Sequence, residues 1–371
     1  MPEIDRRPVP YLDLTIQFRR LEEEWLGSIR DTGANGTFIM GPNVQAFERE
    51  FADYVGAPHA IAVANGTDAL VLSLRALGIG AGDEVITTPY TFFASAEVVT
   101  LVGATPVFVD IDPRDFNLAV DQIAARITPR TRAILPVHLF GCPVDLAALM
   151  KVVKDGDVKV IEDCAQAFGA DHRGRRVGAW GELGCFSFYP TKVLGCYGDG
   201  GMVTTNDHDL AERVRHLRNH GATAPFVHDT IGYNSRLDEI QAALLRIKLR
   251  TIDEAIAGRR RVAAAYMERL QDTAVVTPRA PEHGGHVYNL FTVRVPRRDH
   301  VRQSLLDAAI GCSVCYPLPL HLQEVYRELY YRPGDLPVSE QAAAECVSLP
   351  IFPELQEAQI DRVCEVVLGS L

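Results

Sequence analysis

The stretch VKVIEDCAQAFG, residues 158–169, carries the clearest fold signal in the chain. Its apolar beginning, Val158 to Glu162, predicts a buried strand, and the polar side chains of Asp163 and Gln166 follow where that strand ends. In open sheets of parallel strands, ligands bind beyond the carboxyl ends of the strands. The stretch therefore places a carboxylate and an amide where a site is expected. An N-cap role for Asp163 is the alternative interpretation.

Short apolar runs alternate with helical patterns on the N-terminal side of this stretch. A helix is predicted from Val44 to Val55, with Gly56 as its C-cap. The predicted strands are His59 to Ala64, Glu84 to Thr88, Pro106 to Asp110 and Arg132 to Val137. Strands that alternate with helices are typical of βαβ units, so we expect an α/β fold whose mostly parallel central sheet is flanked by helices.

The pattern changes after Thr251. A charged helix is predicted from Ile252 to Leu270, then a strand from Val287 to Val295 and a helix from Val301 to Ile310. We expect a large domain over residues 12–250 and a smaller C-terminal α+β domain over residues 251–371.

The composition restricts the classes of function. The 371 residues carry a formal net charge of −11, so no general affinity for nucleic acid phosphates is expected. No apolar run approaches the ~18 residues of a membrane helix, and eight scattered cysteines fit reduced thiols, so we expect a cytoplasmic protein without membrane contact. Cys312 and Cys315 form the only C-x-x-C pair, and without a second pair of ligands no metal site is expected.

A second candidate site lies at Asn65-Gly66-Thr67, between a predicted strand and a predicted helix. Glycine permits close backbone approach, and a threonine hydroxyl beside the free N–H groups of a first helical turn forms an anion site. A simple turn and helix cap is the alternative interpretation, and these residues alone favour it.

A third candidate is Lys192, which lies between the apolar run Cys185 to Phe188 and the glycine-rich stretch Gly195 to Gly201. A lysine held in a pocket loses its proton more readily and becomes a nucleophile toward an aldehyde. A solvated lysine on a turn is the alternative for this residue alone.

The order of these three features is more informative than any one of them. An anion cradle, a carboxylate at a strand end and a lysine ~25 residues beyond it are the groups that pyridoxal phosphate needs. They supply its phosphate site, a partner for its pyridine nitrogen and an amine for its aldehyde. The sequence therefore indicates a pyridoxal phosphate enzyme.

The chain resembles the DegT-type nucleotide-sugar aminotransferases, members of the fold type I pyridoxal phosphate enzymes related to aspartate aminotransferase. The resemblance covers nearly the whole length and includes several ordered motifs. They are Asn65 to Leu70, Pro89 to Ala94, Gly103 to Pro106, Val109 to Asp112, Pro136 to Gly141, Glu162 to Gly169, Ser187 to Lys192, Gly198 to Gly201, Gly232 to Asp238, Gln241 to Ala243, Tyr316 to His321 and Ser348 to Pro350.

The resemblance implies a role for each matching residue. Lys192 would join the cofactor aldehyde as a Schiff base, and Asp163 would pair with the pyridine nitrogen. Gln166 would lie near the ring hydroxyl, and Phe92 would stack on the ring. Gly66, Thr67 and Ser187 would hold the phosphate. Asn234 would come from the neighbouring subunit of a homodimer, and Arg236, Tyr316 and His321 would contact the substrate.

The resemblance also implies an activity, the transfer of an amino group from glutamate to a keto sugar linked to dTDP or UDP. The sequence of residues 233–241 is similar to the corresponding sequence of family members that act on 3-keto sugars, so a 3-amino sugar product is expected. A 4-keto substrate and a non-catalytic regulatory protein are the alternatives. Lys192 argues against related dehydratases, which carry His there. One departure is Cys315, where many relatives carry His, and it leaves the substrate contacts of this loop open.

Overall fold

A computed structural model describes residues 7–154, 156–279, 281–282 and 284–371. Its strands are β1 (His59–Val63), β2 (Glu84–Thr87), β3 (Thr105–Phe108), β4 (Thr131–Ile134), β5 (Lys159–Asp163), β6 (Asp171–His172), β7 (Arg175–Arg176), β8 (Leu183–Ser187), β9 (Gly201–Thr205), β10 (Ala222–Ala224), β11 (Val227–His228), β12 (Gly284–Gly285), β13 (Phe291–Arg294) and β14 (Cys346–Leu349).

The helices occupy both ends of the chain and the crossovers between strands. They are α1 (Leu14–Asn35), α2 (Pro42–Val55), α3 (Gly66–Ala76), α4 (Ala94–Leu101), α5 (Val120–Ile123), α6 (Leu146–Val153), α7 (His208–Arg218), α8 (Glu239–Leu249), α9 (Ile252–Leu270), α10 (Arg298–Asp307), α11 (Pro337–Glu345) and α12 (Glu357–Gly369). Short 3-10 helices lie at Ala124–Arg126, Leu139–Gly141, Leu320–Leu322 and Glu324–Leu329.

The central sheet has seven strands in the order β1, β9, β8, β5, β4, β2, β3. The run from β8 to β3 is parallel, and β9 runs antiparallel to both of its neighbours. Two hydrophobic clusters of buried side chains include residues of the central strands, for example Val160 in one and Ile161 in the other. Alternate residues of a strand face opposite sides of its sheet, so this sheet is covered on both faces. The expected fold class is confirmed.

The C-terminal residues form a separate hydrophobic cluster. It combines buried side chains of α9, α10, α12 and the antiparallel pair β13 and β14 with Val9 from the N-terminal segment. In the described part of the chain no helix is long and apolar enough to cross a membrane. All eight cysteines are described, and each is a free thiol.

The structure differs from the helix and strand predictions in several places, of which three are instructive. Helix α1 was not predicted, although Asp13 caps its start and Gly36 ends it in the left-handed conformation. The strand expected from Val287 begins only at Phe291, because Tyr288 has a positive φ of 47° and its N–H donates to His286 Nδ1 in a local turn. Helix α10 ends at Asp307, before Ala309, whose φ is 55°.

Candidate active site

A cavity of about 710 Å³ lies where β5 and β8 end and α3 begins. Eight of the eleven residues predicted for the site line it: Gly66, Thr67, Phe92, Asp163, Gln166, Ser187, Lys192 and Tyr316. Asn234, Arg236 and His321 are not among the lining residues. The sequence motifs therefore converge on one cavity although they are spread from Gly66 to Tyr316 along the chain.

The anion cradle forms at the first turn of α3. The Asn65 side chain caps this helix by accepting from the Asp68 N–H at 2.8 Å. A Cβ on Gly66 would lie 2.7 Å from the Cβ of Ser187, so only glycine lets the helix approach β8 this closely. The Ala64 N–H donates to Ser235 Oγ at 3.1 Å, which fixes the chain entering the turn. The N–H groups of a first helical turn attract anions, so the turn suits a phosphate group.

Asp163 is the last residue of β5, and its carboxylate is buried. Oδ1 accepts from the Ala165 N–H at 3.1 Å, and Oδ2 accepts from the Ser95 hydroxyl at 2.8 Å. Burial raises the pKa of Asp163, whereas these two donors and the charge of Lys192 lower it. Each oxygen keeps a lone pair for a further donor. The N-cap alternative is wrong, because no helix begins at Asp163.

Gln166 connects two walls of the cavity. Its Oε1 accepts from the Phe140 N–H at 2.9 Å, and its Nε2 donates to the Tyr316 hydroxyl at 2.9 Å. The Tyr316 ring stacks on the Phe140 ring at a centroid distance of 6.1 Å. Burial raises the pKa of Tyr316, so its hydroxyl stays protonated. The tyrosine is thereby held at the cavity with a proton to donate.

Lys192 lies in an irregular loop, residues 190–198, here called the lysine loop. Burial lowers the pKa of Lys192, and the charge of Asp163 opposes this effect. The lowered pKa favours the free amine, the form that attacks an aldehyde. The loop folds back tightly, since a Cβ on Gly195 would lie 2.5 Å from the Pro190 carbonyl oxygen.

Two side chains of α8 hold the lysine loop from behind. Gln241 accepts from the Tyr197 N–H at 3.0 Å and donates to the Tyr197 carbonyl at 3.2 Å. Lys248, which is 5% exposed, donates to the Gly195 carbonyl at 2.6 Å and lies 4.2 Å above the Tyr197 ring. Desolvation lowers the pKa of Lys248 to about 7. The sequence contained the Gln241 motif but gave it no role, because its partner lies 44 residues away in the chain.

Asn234 and Arg236 lie just before α8, at the surface. Asn234 is exposed and Arg236 is half-buried, whereas Ser235 between them is fully buried. Residues 222–234, which end at Asn234 and include the hairpin of β10 and β11, are here called the outer segment. The side chains of Phe226 and Ile231 in it are 98% and 84% exposed.

His321 lies apart from the cavity. It is buried, its Nε2 is 3.2 Å from Glu340 Oε1, and its ring packs edge-on against Tyr331. Cys315 is half-buried beside Tyr316, and it accepts from the Ser348 hydroxyl at 3.7 Å. The residue that departs from many relatives is thus a neighbour of a lining residue.

His138, Glu162 and Cys164 bring three potential metal ligands within 4.8 Å of one another. The Glu162 carboxylate already accepts from the N–H groups of Gly178, Trp180 and Gly181, and His138 Nε2 is 3.1 Å from it. These partners occupy the lone pairs of Glu162, so we interpret the cluster as structural support beneath β5.

These groups fit pyridoxal phosphate. The first turn of α3 suits its phosphate, buried Asp163 suits its ring nitrogen, and the pocketed amine of Lys192 suits its aldehyde. Fold and site together define an α/β enzyme of the pyridoxal phosphate class.

Comparison with known proteins gives the family. The profile of the DegT/DnrJ/EryC1/StrS aminotransferase family matches residues 19–368, and the chain belongs to this family. The chain is similar to the UDP-N-acetyl-3-dehydro-alpha-D-glucosamine 3-aminotransferase of Acidithiobacillus ferrooxidans, with 45% identity and 98% of each sequence covered. It is equally similar, at 45% identity over 97% of each sequence, to a protein of Geobacillus stearothermophilus named Pleiotropic regulatory protein.

A solved structure resembles the whole fold. The crystal structure of S. venezuelae DesV in complex with a ketimine intermediate superposes with a TM-score of 0.95, at 43% identity and with 98% of each chain covered. The family, the aminotransferase activity and the cofactor expected from the sequence are confirmed.

Proposed function

We propose that this enzyme moves the amino group of glutamate to the 3-keto group of a sugar linked to dTDP or UDP, giving a 3-amino sugar. The relative from Acidithiobacillus ferrooxidans, named for a 3-aminotransferase reaction on a UDP-linked 3-dehydro sugar, supports this substrate class. The observation that carries the proposal is the single cavity that brings together Lys192, Asp163 and the Gly66 turn.

When bound, pyridoxal phosphate accepts the electron pair of the substrate carbon that loses its proton. Gly66, Thr67 and Ser187 would hold the phosphate end, and Phe92 would pack against the ring. Asp163 would accept a hydrogen bond from the ring nitrogen and so keep that nitrogen protonated. Lys192 would supply the amine that binds the cofactor aldehyde.

When it is not bonded to the cofactor, the Lys192 amine would act as the base and acid that takes the proton from the substrate carbon and returns it during transfer. Its lowered pKa favours the unprotonated amine that this step needs. Gln166 donates to the Tyr316 hydroxyl, and this pair would offer a fixed donor to the bound cofactor. Arg236 is our candidate for contact with the anionic nucleotide.

The test begins with the holoprotein and glutamate alone. Glutamate should shift the visible band of the loaded protein, and borohydride should fix the cofactor on Lys192, as located by peptide mass spectrometry. The aminated protein is then offered dTDP- and UDP-linked 3-keto and 4-keto sugars. A 3-amino product identified by mass and NMR supports the proposal, and turnover of 4-keto sugars alone contradicts the choice of carbon.

A regulatory protein is the second candidate function, favoured by the name of the Geobacillus stearothermophilus relative. It predicts a loaded protein whose visible band does not respond to glutamate and that aminates none of the four sugars. A glutamate response followed by product formation would exclude a purely regulatory role.

We also propose a homodimer with shared sites, in which Asn234 reaches the partner's cofactor. Asn234 is exposed and the outer segment beside it carries bare apolar side chains, as expected of a surface that a second chain covers. We retain two domains, 12–250 and 251–371, supported by the separate C-terminal cluster. A cytoplasmic location fits eight free thiols.

A further inference from the structure

Ser95 is a buried hydroxyl that the chemistry described so far does not use. It lies in the first turn of α4, is 1% exposed, and donates to Asp163 Oδ2 at 2.8 Å. Its Oγ is also 3.2 Å from the Oγ1 of Thr91, which is 1% exposed and lines the cavity. The three groups form a continuous chain from the cavity wall to the carboxylate.

The chain has a direction that depends on the charge of Asp163. An ionised carboxylate only accepts, so Ser95 must give its proton to Asp163 and accept the proton of Thr91. A protonated carboxyl would compete with Ser95 as the donor. The arrangement therefore stabilises the ionised form in a place where burial alone would favour the neutral acid.

We propose that Ser95 is a positioning residue that keeps Asp163 ionised and turned toward the cofactor ring nitrogen, with Thr91 orienting its hydroxyl. The inference rests on the proposed role of Asp163. Besides Ser95 and the Ala165 N–H, Lys192 and His138 act on Asp163, and both favour its ionised form. Tyr316, Cys164 and Cys185 also interact with Asp163, and burial raises the pKa of each, so these three groups stay neutral. Ser95 supplies the donor on the side of α4.

A matched control exists elsewhere in the chain. Ser339 is also fully buried and also donates its hydroxyl to a buried carboxylate, Oδ1 of Asp110, at 2.5 Å. Neither residue lines the cavity. Ser339→Ala therefore removes the same kind of hydrogen bond with no connection to the site, and it reports the purely structural cost.

The experiment compares holoproteins carrying Ser95→Ala, Ser95→Thr, Thr91→Val or Ser339→Ala. For Ser95→Ala, the rate of the glutamate half-reaction at saturation should fall about 10- to 100-fold, as expected for losing a hydrogen bond to a charged group, with little change in KM. The acidic limb of its pH profile should move to higher pH, because an Asp163 that lacks a donor holds its proton more tightly. Cofactor should be lost faster on dialysis.

Ser95→Thr keeps a hydroxyl, so its half-reaction rate and the acidic limb of its pH profile should be close to those of wild type. Thr91→Val should change both in the same direction as Ser95→Ala, but by a smaller amount. Ser339→Ala should lower thermal stability without moving either readout. If Ser95→Ala matches Ser339→Ala in rate, acidic limb and cofactor retention, the inference is overturned. A wild-type protein that ignores glutamate would overturn the proposed function instead, and cofactor retention would still decide the role of Ser95.

Discussion

The inner wall of the cavity and the outer segment are built in opposite ways. On the inner wall, Asp163 and Gln166 have hydrogen-bond partners on both of their polar atoms, and three of these four partners, Ser95, Phe140 and Tyr316, come from distant parts of the same chain. In the outer segment, Phe226 and Ile231 are almost completely exposed. The wall is complete in one chain, whereas the outer segment leaves apolar side chains open to solvent, which fits the proposed contact with a second chain.

This difference separates two kinds of residue. Changes on the inner wall should alter the chemical step, because its groups are already fixed before substrate arrives. Changes at the outer segment should alter assembly and the completeness of the site. Each prediction below tests on which side of this division a residue falls.

Lys192→Ala should have the largest effect. The variant loses both the amine that holds the cofactor and the base that moves the proton, so transamination should fall by at least about 1000-fold. Lys151→Ala, at an exposed position of α6, is the control and should keep wild-type turnover. Steady-state assays with a coupled glutamate readout measure both, and residual turnover near wild type in Lys192→Ala would refute the assignment.

Asp163→Asn should follow, with a loss of about 100-fold or more in the half-reaction, because a neutral amide does not keep the ring nitrogen protonated. Its neighbour Glu162 is the comparison, since it points to the other face of the sheet and binds three backbone N–H groups. Glu162→Gln should lower the melting temperature and leave the half-reaction rate nearly unchanged. If Asp163→Asn and Glu162→Gln lose half-reaction rate and stability in the same proportion, the assignment of Asp163 to the chemical step is wrong.

Asn234→Ala tests the outer segment. The transamination activity of this variant should fall by about tenfold, less than for the inner-wall variants. Activity should be recovered when Asn234→Ala and Lys192→Ala exchange subunits. In a symmetric dimer with shared sites, each mixed dimer has one intact site, so a 1:1 mixture should recover about a quarter of wild-type activity. Sedimentation confirms the dimer, and Lys192→Ala mixed with itself is the control. No recovery after verified exchange would argue for sites made by one chain.

Lys248→Met should have the smallest effect on turnover and a distinctive effect on stability. The pKa of Lys248 is about 7 in the folded protein and 10.5 when exposed, so the unfolded chain binds more protons between these values. The contribution of Lys248 to the free energy of unfolding therefore rises with pH from about 7 to 10.5, by up to about 1.4 kcal/mol per pH unit.

Urea denaturation of wild type and Lys248→Met at pH 7.5 and 9.5 measures this slope. The stability difference between the two proteins should shift in favour of wild type at the higher pH. Gln241→Leu, which loosens the same loop without removing an ionisable group, should show the wild-type slope. Equal slopes in wild type and Lys248→Met would place the charge of Lys248 in contact with water.

The sequence predicted the residues of the inner wall better than the residues behind the wall that hold them in place. Asp163, Gln166 and Lys192 could be found because each follows a strand in a local pattern of apolar and polar residues. Ser95 and Lys248 could not, because a serine in an apolar helix and a lysine on a charged one have ordinary local patterns. Their partners are 68 and 53 residues away, so only the folded chain shows their role.

Helix α1 was missed for a different reason. Its cap signals, Asp13 and Gly36, were in the sequence, but only one of its residues is buried, so the apolar stripe that usually reveals a helix is weak. His321 stays a predicted substrate contact, although in this chain it lies beside Glu340 and does not line the cavity. A motif match identifies a residue by its position in the sequence, whereas the packing around that residue determines its contacts.

The tight contacts at two glycines also set where this enzyme can be redesigned. A Cβ on Gly201 would lie 2.3 Å from the Asn65 carbonyl oxygen, and a Cβ on Gly66 would lie 2.7 Å from the Cβ of Ser187. Both distances are too short for any side chain. A directed-evolution library that randomised these positions would consist largely of misfolded clones. Diversity placed at Tyr189, which lines the cavity, and at Arg236 instead would leave the scaffold intact and explore new acceptor sugars.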